Sequence, residues 1–106
     1  MSKKLYSVRE IREENIIWTI KYYITTKILY ENSLEYYGIE ITSTNKEKKF
    51  INYISGIFPY IHDAEKLLKF LYDNEASPIS MPYLASEFIE NNFLSAEVKA
   101  IDLTAN

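Results

Sequence analysis

Absences narrow the chemistry before any residue present suggests one. The 106-residue chain has no cysteine, one histidine (His62) and two glycines, Gly38 and Gly56. Without cysteine there is no disulfide framework, thiolate nucleophile, zinc ribbon or iron–sulfur site. One histidine cannot build a His-rich metal centre, although carboxylates can hold a hard cation. Two glycines so far apart supply neither a GxGxxG turn nor a Walker-type phosphate loop. No apolar run approaches the length of a membrane span. The amino terminus carries Lys3 and Lys4 without the apolar core of a signal peptide. The expectation is a cytoplasmic protein with no cofactor, no metal and no catalytic group.

What is present belongs to an ordinary soluble domain. Hydrophobic residues make up 47 % and charged residues 25 %, a mix that folds rather than stays disordered. The length suits one domain, expected over 1–93, followed by a partly ordered tail over 94–106. Ten tyrosines stand out. Ile, Lys, Asn and Tyr, whose codons are rich in A and T, make up 43 of the 106 residues, so base composition explains part of that count. Charge is uneven: residues 1–61 sum to +2 and residues 62–106 to −5, together the net −3. The front half suits an anionic partner better than the back half does.

The hydrophobic period changes near residue 58 from about two to about 3.6. Ile16, Trp18, Ile20, Tyr22, Ile24 and Ile28 alternate with Thr19, Lys21, Tyr23, Thr25 and Lys27, which predicts a half-buried antiparallel strand over 16–29. Lys4–Ile11 reads as the strand before it, joined through a turn at Arg12-Glu13-Glu14-Asn15. Glu31-Asn32-Ser33 turns into a strand over 34–42, where Tyr37, Ile39 and Ile41 share a face. Thr44-Asn45-Lys46-Glu47 turns into a strand over 49–57 with apolar residues on both sides. Short polar connections favour a meander over crossovers.

Ala64, Leu67, Leu68 and Leu71 have helical spacing, predicting a helix from 62 or 63 to 74 with His62 or Asp63 as its cap. Pro78 enforces its end. A second helix opens at Ser80 with Pro82 in its first turn and buries Leu84, Phe88, Ala85 and Ile89. After Phe93 the pattern weakens, leaving Val98 and Ile101 or Leu103 to dock a short third helix. The fold expected is α+β: a four-stranded antiparallel meander with two or three C-terminal helices on one face.

Each candidate site has a bland reading beside the functional one. His62-Asp63 resembles an acid–base pair, but a helix start explains both residues. Glu87 and Glu90 fit glycosidase chemistry only inside a cleft that separates their pKa values, and otherwise form a solvated face. Lys21, Tyr23 and Lys27, joined by Tyr36 and Arg9, would put cations and rings on one flat sheet face, as single-stranded nucleic acid requires. Thr, Lys and Tyr are also what an exposed strand face ordinarily contains. A basic turn, Lys46, Lys48 and Lys49, can meet phosphate or simply be solvated. The second helix has no Lys or Arg, and its glutamates would repel duplex DNA in a helix–turn–helix mode.

Tyr37-Gly38-Ile39-Glu40-Ile41, Ile54-Ser55, Ala64-Glu65-Lys66-Leu67-Leu68 and Ser77-Pro78 followed by Leu84 occur in one order. This order resembles a family of small uncharacterised proteins from clostridia and related Gram-positive bacteria, over about residues 15–93. The resemblance implies a cytoplasmic bacterial protein with no assigned activity, and it transfers no catalytic residue. Members of that family often carry a His-Leu pair after the proline, where this chain reads Met81-Pro82-Tyr83-Leu84.

The leading expectation is a non-enzymatic binding or regulatory module acting through protein contacts. The tyrosine-bearing sheet face and the acidic helical face are its contact surfaces, and an edge strand offers a route to a homodimer. The alternative is an accessory nucleic-acid-binding protein, such as a mobile-element recombination factor.

Overall fold

The computed structural model describes residues 2–29 and 34–92. Four strands precede two helices: β1 (Ser2–Glu13), β2 (Ile16–Leu29), β3 (Leu34–Thr44), β4 (Lys49–Phe58), α1 (Ile61–Asp73) and α2 (Met81–Asn92). The strands pair in chain order, each antiparallel to the next, and form the α+β meander that the alternation predicts. The turn at 31–33, Phe93 and the tail over 94–106 lie outside the described residues.

β2 has its predicted bounds, but the turn before it is tighter than expected. Arg12 and Glu13 pair with Ile17 and Ile16, which shrinks the first turn to Glu14 and Asn15. Both turn residues have positive φ, 50° and 68°, the type I′ sense that matches the twist of the paired strands. Thr44 pairs with Lys49, which places the β3–β4 turn at 45–48, one residue later than expected. There the Asn45 side-chain oxygen accepts from the amides of Glu47 and Lys48 and closes the turn locally.

One side of the sheet holds the core. Ile20, Tyr22 and Ile24 of β2 and Ile39 and Ile41 of β3 are buried against Ala64, Leu67, Leu68 and Leu71 of α1. Each buried Ile and Leu among them contributes roughly 1.5–3 kcal/mol through burial. The Tyr22 hydroxyl is also satisfied there, donating to the Ala76 carbonyl at 2.7 Å.

The helix ends differ from the sequence expectation. The N-cap of α1 is Tyr60, with no side-chain cap; neither His62 nor Asp63 caps it, and Asp63 sits in the first turn where it complements the dipole. At the other end, Ala76 N–H donates to the Leu71 carbonyl and Glu75 N–H to the Tyr72 carbonyl. With Glu75 at φ 53°, this is a Schellman stop, and the helix has already ended at Asp73, well before Pro78. Ser80 opens α2 as expected, its carbonyl accepting from the Leu84 N–H, while its hydroxyl accepts from the Ser77 N–H at 2.9 Å and so ties down the connecting loop. α2 leans on α1, with the Phe70 and Phe88 ring centroids 4.8 Å apart. Its fully buried residues are therefore Met81 and Ala85, while Leu84, Phe88 and Ile89 are only partly covered.

Candidate functional site

The other side of the sheet carries no helix among the described residues. Strand register fixes what it shows, because residues directly opposite one another share a face. One row runs Leu5–Tyr23–Glu40–Tyr53 across all four strands, and the next runs Val8–Lys21–Thr42–Ile51. Leu5, Val8, Ile17, Ile51 and Tyr53 are each about half exposed, and Thr25 and Thr42 lie buried between their larger neighbours. Lys3, Arg12, Lys21, Lys27 and Lys49 share this face with Glu10 and Glu40. The face is therefore apolar in patches and cationic in balance.

Lys21, Tyr23, Lys27 and Tyr36 all lie on this face, with Lys27 directly opposite Tyr36. The rings are not equally available. Lys3 lies over the Tyr23 ring, 4.6 Å from its centroid, while its ammonium contacts the Glu40 carboxylate at 2.7 Å. That hydrogen bond to Glu40, reinforced by its charge, raises the Lys3 pKa above the usual lysine value against a smaller opposing effect of burial. Tyr23 is half-buried beneath this pair. Lys27 and Tyr36 are flanked by the β4 bulge, where the position of a Cβ on Gly56 is 3.3 Å from Lys27 Cδ and 3.8 Å from Tyr36 Cβ. The well-exposed ring of the face is Tyr53, which composition alone did not single out.

Arg9 does not join this face. A bulge at Leu5–Ser7 shifts the register of β1, which turns Arg9 to the helix side opposite Ile20. Its guanidinium lies 4.0 Å from the Tyr72 ring centroid, donates to the Tyr72 carbonyl and meets Glu75 at 3.5 Å. The basic turn also divides. Lys46 and Lys48 stay exposed in the connection, while Lys49 enters β4 opposite Thr44 and belongs to the open face.

The chain matches the Family of unknown function (DUF6514) over residues 1–91. It belongs to that family. The match takes in β1 as well as the elements from residue 15 onwards on which the sequence resemblance rests. No curated protein and no solved structure matches the chain.

In this DUF6514 member the remaining candidates are dispersed. The His62 side chain is 74 % exposed, and its Nδ1 approaches the Glu65 carboxylate only to 3.9 Å. Glu87 and Glu90 are exposed on α2. Among the described residues no group of three or more His, Asp or Glu side chains is placed to hold a metal ion. No helix among them is long and apolar enough to cross a membrane. The outward aliphatics Leu5 and Val8 escaped the sequence reading because the first strand's face depends on a bulge, whereas Ile17 falls on the outward face of the 16–29 alternation. For Ile51 and Tyr53 the signal was the two-sided apolar pattern of 49–57.

Proposed function

We propose that this chain is a non-enzymatic binding module that engages a protein partner through the open face of its sheet. The observation carrying the reading is the set of half-exposed side chains Leu5, Val8, Ile17, Ile51 and Tyr53 on the face that carries no helix among the described residues. All but Ile17 form two groups, Leu5 and Val8 on β1 and Ile51 and Tyr53 on β4, with Lys21 and Glu40 among the residues between them, and apolar side chains interspersed with charge are what protein interfaces use. The cations around them favour a partner with acidic residues at its rim.

Nucleic acid is the second reading, favoured by Lys21, Lys27, Lys49 and Arg12 on the same face. Base stacking needs open rings, however, and Lys3 already occupies one side of Tyr23. Aliphatic side chains add nothing to phosphate contact. The protein reading is therefore the better supported one.

Affinity capture from a clostridial or related Gram-positive lysate, with and without nuclease, separates the two; that origin is part of the same proposal. A partner retained after nuclease treatment supports protein contact, and one lost with nuclease supports the rival. Direct titration with single-stranded and duplex DNA across salt gives a second readout. A steep log–log salt slope abolished by replacing Lys21, Tyr23 and Lys27 together would favour nucleic acid.

A further inference from the structure

We propose that a groove on the helix side of the sheet, beneath the loop joining α1 to α2, is a separate docking site for a peptide that presents an apolar side chain flanked by Lys or Arg. It does not rest on the open face, which lies on the opposite side of the sheet. The groove encloses about 360 Å³, with Trp18 and Phe50 on one side and Ile79 on the other. That volume is at the small end of the range for ligand pockets and has room for one or two side chains.

Ile79 is 73 % exposed and Phe50 42 %, and the Phe50 ring lies 5.8 Å from that of Trp18. The loop presenting Ile79 is already fixed. Asn52 Nδ2 of β4 donates to the Pro78 carbonyl at 3.1 Å, Ser77 N–H donates to the Ser80 hydroxyl at 2.9 Å, and Met81 N–H donates to the Ser77 carbonyl at 2.9 Å. A preordered loop loses little conformational freedom on docking, so apolar contact there is retained as affinity. Exposed apolar side chains converging on one pocket are the geometry of an interface anchor.

Charge selects the occupant. Glu13 and Glu75 are the charged residues among those lining the groove. Glu75 meets Arg9 at only 3.5 Å and its side chain is 71 % exposed, which leaves its carboxylate largely in solvent. Lys46 and Lys48 lie beyond Phe50 in the turn and do not line it. An acidic peptide is disfavoured beside these carboxylates and a cationic one is drawn to them.

Trp18 is the chain's single tryptophan and lies in the wall, so its emission reports occupancy. The full chain is titrated with two synthetic hexapeptide libraries. Both hold one fixed Leu or Phe and no Trp; in one the flanks are Lys/Arg, in the other Asp/Glu. The cationic library should shift Trp18 emission at concentrations at least tenfold lower than the acidic one. Ile79→Ser and Glu13→Lys, both at exposed positions, should each weaken that response at least fivefold while leaving the unfolding midpoint in place. Substituting Val8 and Ile51 on the opposite face should leave it unchanged. Equal response to both libraries, no response, or a response indifferent to Ile79 and Glu13 overturns the proposal. An emission shift on dilution of the protein alone would assign the groove to a second copy and overturn it too.

Discussion

A methyl group placed on Gly38 would sit 2.0 Å from the Ile54 carbonyl oxygen and 3.0 Å from the Gly56 amide nitrogen. The chain's two glycines thus serve one crossing. Between the pairs Ile39–Ile54 and Tyr37–Phe58, β3 spends one residue and β4 three, so the extra length of β4 folds against the bare backbone of Gly38. Gly56 makes the bend at φ 58°.

Substitution at these positions should separate two effects. Gly38→Ala forces backbone apart and should cost about 3 kcal/mol or more, at the upper end of overpacking. Gly56→Ala meets Lys27 Cδ at a tight 3.3 Å that a flexible lysine side chain can relieve, so its main cost is the left-handed backbone, about 1–2 kcal/mol. Urea unfolding should rank Gly38→Ala as the more damaging change.

Tyr22 should make the fold sensitive to alkali. Burial pushes its phenol above the ordinary pKa of 10.0, with the nearby Arg9 charge partly offsetting that. The folded state then keeps a proton that the unfolded state loses, so stability is intact below pH 10 and declines as pH rises from there through the folded pKa. Tyr22→Phe removes this contribution and also the hydrogen bond to Ala76, costing about 0.5–1.5 kcal/mol near neutral pH. Its stability should fall less steeply above pH 10 than that of the wild type, as measured by urea midpoints across pH.

The first hairpin holds a residue at odds with its backbone. Glu14 sits at φ 50° in a turn that favours Asn-Gly. Glu14→Asn combined with Asn15→Gly should raise stability by about 1 kcal/mol through relief of that strain. A thermal midpoint unchanged or lowered would contradict the type I′ reading.

Sequence periodicity carried the architecture because its signals are local. The two-residue alternation of 16–29 and the helical spacing of Ala64, Leu67, Leu68 and Leu71 each name an element and its buried side without reference to the rest of the chain. The failures are non-local. Arg9 changes sides because of a bulge at Leu5–Ser7. The stop of α1 rests on Glu75, a residue with no preference for left-handed backbone, so the nearby proline looked like the terminator. Met81 is buried because α2 leans on α1, a packing choice its own sequence does not announce. At the candidate site, Lys21, Tyr23, Lys27 and Tyr36 could be assigned to one face by counting in twos. The Lys3 side chain over Tyr23 could not, since it depends on β1–β2 register across the sheet.

The most direct test of the open-face account is comparative capture with Val8→Asp/Ile51→Asp. Both side chains are about half exposed and directed away from the core, so the variant should keep the wild-type unfolding free energy to within about 1 kcal/mol. The account predicts a partner that wild-type protein retains after nuclease treatment and that the folded variant loses at least tenfold. Equal retention by the variant, or a partner that disappears with nuclease, would contradict it.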